Sequence, residues 1–293
     1  MTLSALWGGS YLFMRLAVVS LSPFVIAEFR LLIASVFLGF LLICRRQWRQ
    51  YLYLPRNLWP KLLFIAIFNA ALPFTMIAYA IQFINAGTGA ILNSTSPLWS
   101  ALIATIWFKD RLNLSRVFGL FLGFVGVVFL MWGKASLGGQ GVGLAILAAM
   151  IGTLSYGIST NFLKNYGQGL HPLSVTFWSL FISSMLLLIP AGLTFDPQSL
   201  SVMALVGVVG LGVLSTAIAN ILFFSLAERI SPTIAITVTF LVPVFSMLWG
   251  DLFLQEAVTL RMLLGAVIVL VGTALVIGLI SFRKIIGRFS RID

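Results

Sequence analysis

The sequence predicts an all-α polytopic membrane protein of ten transmembrane helices, arranged as two inverted five-helix repeats with both termini cytoplasmic. Three observations carry that expectation: a composition that only lipid can solvate, a series of apolar runs of spanning length, and a self-similarity at a fixed offset. Of the 293 residues, 60% are hydrophobic and 9% are charged, and the mean hydropathy is +1.10. An ordinary soluble domain is about 25% charged and uses those groups to coat its core. A chain this poor in charge needs lipid as its solvent. The 26 Gly and 10 Pro scattered through the apolar stretches suit membrane helices, which tolerate both.

Apolar runs fall at roughly 3–20, 23–44, 59–82, 87–108, 115–133, 141–163, 172–192, 202–226, 232–254 and 260–281. Each has about the 20 residues that a crossing helix needs. The first starts almost at Met1 with no basic leader, so no cleavable signal peptide is expected. The separators carry turn signals: Ser22-Pro23, Pro55 and Pro60, Gly87, Asn113, Gly138-Gly139, His171-Pro172, Asp196-Pro197 and Ser231-Pro232. The runs are continuous rather than alternating, which excludes a β-barrel.

The net charge of +11 belongs to these separators and reads as a topology signal rather than a nucleic-acid footprint. With the N-terminus inside, fourteen Lys and Arg fall on inner segments, from Arg45 to Arg291, and only Lys134 and Arg261 on outer loops. The positive-inside rule then puts both termini in the cytoplasm. Cys44 is the single cysteine, so no internal disulfide forms.

Displaced by 146 residues, Asn85–Gly126 meets Ser231–Gly272 without a gap. Pro97 then falls on Pro243, Ser100 on Ser246, Asp110 on Glu256, Gly119 on Gly265 and Gly126 on Gly272. Residues 1–134 and 135–293 are read as the two repeats. An odd number of spans in each makes them oppositely oriented, an arrangement that secondary transporters use for alternating access.

At this point the sequence resembles the EamA family of the drug/metabolite transporter superfamily. The resemblance lies in Leu6-Trp7-Gly8-Gly9-Ser10, in Pro23-Phe24 leading to Ala27-Glu28-Phe29-Arg30, in Asn85-Ala86-Gly87 ahead of the Pro97 span, and in Leu254-Gln255-Glu256 before Gly265 and Gly272. Asp110 departs from a Glu at the first repeat. The resemblance implies a basket in which spans 1–4 and 6–9 enclose a central cavity, with 5 and 10 outside. It also implies export or exchange of amino acids and related metabolites across a bacterial inner membrane.

Polar groups inside spans are candidate cavity lining, because hydrocarbon leaves them unsatisfied. The candidates are Trp7, Ser10, Tyr11, Asn69, Tyr79, Asn93, Ser96, Trp99, Tyr156, Asn161, Trp178, Thr239 and Ser246. Ser215, Thr216 and Asn220 are further polar positions, and close helix packing explains such small groups equally well. Pro97 and Pro243 are candidate hinges, each freeing a carbonyl one turn back. Aromatic rings beside hydroxyls and amides suit an amphipathic neutral or zwitterionic solute, aromatic and hydrophobic amino acids included. A carrier of a cationic drug, a lipid or a nucleotide sugar is the alternative, and a channel a weaker one.

Charges within spans are read as packing or gating groups: Glu28 with Arg30 as a pair or snorkelling, Arg15 near an outer end, and Asp110 as a cap for the next span. No carboxylate falls at a midplane, so transport without a carboxylate relay is expected. His171 is the single histidine, which removes zinc sites and histidine-based triads, and no enzyme motif is present. No metal, cofactor or nucleic-acid partner is expected; the partners are a small-molecule substrate and the bilayer. Gly119-x-x-x-Gly123 marks a candidate dimer face, against an expectation of a monomer.

Overall fold

The structure is a computed structural model that describes residues 1–44, 55–132, 141–230 and 235–280. The basic 45–54 stretch, Lys134, the Ser231-Pro232 turn and the basic 283–291 tail lie outside the described residues. Every regular element among the described residues is helical, with no strand. In chain order they are α1 (Thr2–Ala17), α2 (Pro23–Cys44), α3 (Arg56–Ile81) and α4, in two pieces (Ala86–Asn93 and Ser96–Phe108). Then follow α5 (Leu114–Met131), α6 (Val142–Tyr166), α7 (Pro172–Thr194), α8 (Val202–Arg229), α9 (a 3-10 stretch Ile236–Leu241 running into Val242–Leu254) and α10 (Leu260–Val276).

Seven of these are long and apolar enough to cross a membrane: α2, α3, α5, α6, α7, α8 and the Thr237–Leu254 part of α9. The protein is therefore a polytopic helical membrane protein. α1 has 16 residues and α10 has 17, short of a straight crossing, and α4 is interrupted.

Helix starts follow local chemistry. The side chains of Asn85, Asn113, Ser201 and Thr259 accept the backbone N–H groups of Thr88, Arg116, Ala204 and Met262, capping α4, α5, α8 and α10. The cap of α5 is thus Asn113 and not Asp110: only Asn113 has the extended backbone and the spacing to reach the third amide. Asp110 instead lies 3.6 Å from Lys164. α4 and α9 both end on a left-handed residue, Lys109 and Gln255, each with φ of 55°. The following amides, Asp110 and Glu256, donate back to Ala104 and Gly250, closing the same C-terminal turn twice.

α5 lies along α10 on a glycine seam. A Cβ on Gly272 would stand 2.5 Å from the Gly123 nitrogen, and one on Gly119 would stand 2.7 Å from the Gly272 carbonyl oxygen. The Gly119/Gly123 face is therefore occupied within this chain.

Four helices depart from α geometry part-way along their length. α3 has a π-helical turn at Ile67–Ala71 and α8 a longer one at Gly210–Ile218. α4 breaks at Ser94-Thr95, and α9 is 3-10 up to Leu241. Pro97 and Pro243 each sit in the first turn of the regular helix that resumes, where a missing N–H costs no intrahelical bond.

Candidate functional site

The irregular turns surround a central cavity of about 570 Å³. Tyr11, Met14, Arg30, Ile77 and Ala90 line one end of it, and Gly167, Leu170 and the exposed Pro172, at the α6–α7 turn, line the other. Hydroxyls bond the backbone at the α4 break: Ser94 to the Ala90 carbonyl, Thr95 to Leu92 and Ser96 to Asn93. The run of small polar residues before Pro97 thus lets a helix break without stranding carbonyls in the membrane. In α8, the π turn lets Thr216 Oγ1 donate five residues back to the Leu211 carbonyl, at 2.8 Å. The same oxygen accepts from Arg30 Nε, also at 2.8 Å.

Of the sequence candidates, Trp7, Ser10, Tyr11, Asn69, Asn93, Ser96, Tyr156 and Thr239 line the cavity, as does Pro97. Asn69 sits within the α3 π turn and is exposed to the cavity. The remaining candidates lie elsewhere. Tyr79 packs on Phe83 at 5.3 Å, and Trp99 packs edge-on against Phe124 at 5.0 Å. Trp178 meets Trp59 at 4.9 Å, next to Phe177 and Phe181. Asn161 ties α6 to α4 through the Ser100 carbonyl at 2.8 Å, and Ser246 is buried against α1, whose Gly8 touches its backbone. Asn161 spends its amide on that α6–α4 seam, whereas the Trp99 and Trp178 indole N–H groups and the Ser246 hydroxyl are buried without a hydrogen-bond partner among the described residues. Pro243 is buried in the α9 first turn.

The cavity wall also holds residues that sequence reasoning did not select: Arg30, Phe74, Asn220, Phe223 and Phe224. Arg30 and Asn220 are polar groups within a span and carried a signal. The phenylalanines did not, since among 25 Phe a cavity-facing ring reads like a lipid-facing one. Glu28 and Arg30 do not pair. They are two residues apart on α2 and so point to different sides. Ser184 on α7 donates to Glu28 Oε1 at 2.7 Å, whereas Arg30 turns toward α8 and lies 3.8 Å over the Phe74 ring. α10 is not wholly outside: Leu270 and Thr273 reach the cavity, because the α4 break exposes the Ser94 carbonyl to which Thr273 donates at 3.1 Å.

The far end of the bundle is tied shut. Arg15 Nε donates to Glu256 Oε1 at 2.7 Å, and Arg15 Nη1 to the Ile81 carbonyl at 3.1 Å. Glu256 Oε2 accepts the Ala86 amide at 2.8 Å. One ion pair thereby joins α1, the end of α3, the start of α4 and the α9–α10 turn. At the cavity mouth the pair of Asp110 with Lys164 is looser and more exposed.

The EamA-like transporter family model matches this chain twice, at residues 1–132 and 143–278. An uncharacterized transporter of Archaeoglobus fulgidus is 25% identical over 278 residues, spanning 92% of this chain and 94% of its own. The Bacillus subtilis transporter YoaV is 22% identical over 287 residues, 97% of each chain. Protein PecM of Dickeya dadantii is 28% identical over 233 residues, 78% of this chain and 77% of its own. A solved crystal structure superimposes over 94% of this chain and 93% of that one, with a TM-score of 0.65 at 17% identity, a likeness of fold.

Proposed function

This chain belongs to the EamA-like transporter family, and from that membership we propose that it exports or exchanges amino acids, aromatic and hydrophobic ones included, and related small metabolites. The observation that carries the reading is the central cavity of about 570 Å³, walled by Trp7, Tyr11, Phe74 and Tyr156 beside Asn69, Asn93 and Asn220. That volume and mix fit one amphipathic solute of amino-acid size. The solute moves by alternating access, in a bacterial inner membrane, through a monomer of ten spans in which residues 1–134 and 135–293 form the two inverted repeats. N-in and C-in orientation makes the cavity mouth cytoplasmic and the Arg15–Glu256 end external.

Local geometry that recurs at the 146-residue offset supports the inverted repeat. The α3 π turn falls within the α8 π turn, Pro97 falls on Pro243, and Lys109, with φ of 55°, falls on Gln255, with the same φ. The carboxylates that follow, Asp110 and Glu256, lie at opposite ends of the bundle. Each faces a cation on the first helix of the other half, Lys164 on α6 and Arg15 on α1. One pair is closed at 2.7 Å and the other stands at 3.6 Å, an arrangement suited to latches that engage in turn.

The test is counterflow in proteoliposomes loaded with unlabelled amino acids, read as uptake of labelled phenylalanine, threonine and methionine. Uptake should saturate, and Thr160→Trp, which places a ring in the cavity from an exposed position, should reduce it by about tenfold or more. Uptake no greater than in empty liposomes, with folded protein, would move the cargo to another solute class.

A further inference from the structure

Arg30 is a buried cation with no carboxylate beside it among the described residues. Its Nε is held by Thr216 at 2.8 Å and its guanidinium carbon lies 3.8 Å from the centre of the Phe74 ring. Neither partner is charged. The two ion pairs among the described residues, Arg15 with Glu256 and Lys164 with Asp110, do not include it. Glu28, the nearest carboxylate in sequence, is engaged by Ser184 on the opposite side of α2. Withdrawing a guanidinium from water is costly, and a ring face and a hydroxyl offset only part of that.

The side chain is nevertheless oriented with care. Thr216 is set by the α8 π turn, Phe74 stands edge-on to Tyr156 at 6.5 Å, and both terminal nitrogens of Arg30 are left without a hydrogen bond to the described residues. Arg30 is the one charged residue in the cavity wall, among the described residues. A planar guanidinium fixed through Nε presents a fork of donors that matches the two oxygens of a carboxylate.

A second orphan group lines the same cavity. Asn93 Oδ1 is buried and has no hydrogen-bond partner among the described residues, so it is an acceptor in want of a donor. The Asn93 side chain has a hydrogen-bonding interaction with Tyr11, which also lies within electrostatic reach of Arg30, so Oδ1 is the part of the amide still open to a donor.

We infer that Arg30 holds the carboxylate of the transported solute and that Asn93 Oδ1 takes an N–H of its amine, which makes the preferred cargo a zwitterionic α-amino acid. The inference rests on the transporter reading above and assigns it a recognition element. A cationic drug would be repelled by Arg30. A sugar diphosphate would bring two charges to one cation.

The test is a melting-temperature panel on purified protein, using acids against their uncharged or cationic amides: phenylalanine and phenylalaninamide, threonine and threoninamide, benzoate and benzamide. The acids should stabilise the wild type with apparent affinities at least tenfold tighter than the amides. Arg30→Gln should abolish the discrimination, and Arg30→Lys should keep part of it. Equal response of the wild type to acids and amides would overturn the inference without any variant, as would discrimination that survives Arg30→Gln. Discrimination seen only with benzoate would leave Arg30 as a carboxylate site and remove the amine contact and the amino-acid cargo. A wild type that takes up solutes by counterflow but prefers no acid would keep the transporter and remove Arg30 from its recognition.

Discussion

Glu256 does two jobs with two oxygens: one holds Arg15, and the other caps α4 at Ala86. Glutamine in its place keeps an acceptor for the amide and removes the charge. The side chains of the pair are 33% and 12% exposed, so the ion pair contributes between the surface and buried limits, about 1–3 kcal/mol. Glu256→Gln is therefore expected to shift the bundle toward opening at that end by on the order of tenfold or more. A cysteine replacing the cavity-facing Ala90, in a Cys44→Ser background, reports this through its labelling from outside by a membrane-impermeant thiol reagent. Unchanged labelling would show that the latch does not hold that end. At this scale the sequence marks which side chains are unusual but not what they touch. Asn161 and Trp99 look as eligible for the cavity as Asn93 and Tyr156. Yet Asn161 is spent on the Ser100 carbonyl and Trp99 on Phe124, and those partners are tens of residues away.

Among elements, α4 shows how a helix is broken without loss. Pro97 lies in the first turn of the resumed helix, and three consecutive hydroxyls bond the carbonyls before it. Replacing Pro97 with Ala supplies an N–H that lets the two pieces join, which stiffens the wall that has to move. Initial counterflow rates should fall several-fold while the melting temperature stays level or rises. A variant transporting at the wild-type rate would make the break static packing. The proline and its hydroxyl neighbours make this feature legible in the sequence. The π turns at Ile67–Ala71 and Gly210–Ile218 are not, since Asn69, Ser215 and Thr216 mark polar positions there but carry no signal for an extra residue in the turn.

At the scale of the whole molecule, α5 and α10 pack backbone to backbone along the glycine seam. Gly272→Val would drive a side chain into the backbone of Gly119 and Gly123, neither of which can yield as a flexible side chain does. Overpacking of this kind costs about 1–3 kcal/mol. The melting temperature should drop by several degrees while counterflow per folded molecule persists, because Gly119, Gly123 and Gly272 are not among the residues that line the cavity. Loss of transport at unchanged stability would mean that the seam itself moves.

Composition, apolar runs of spanning length, two matching halves and the paired prolines were determined by the sequence alone. Each is set by the solvent or by the chain's own backbone, and both act locally on consecutive residues. The family and its helical membrane fold followed from that. Only the tertiary structure decided that Arg30 faces the cavity while Glu28 faces α7, that Arg15 reaches Glu256, and that the Gly119 face is filled by α10. A side chain's role within a membrane depends on which helix lies opposite it, and every helix here offers its neighbours nearly the same apolar surface. The choice among such surfaces is made by packing across the bundle, between residues far apart in the chain.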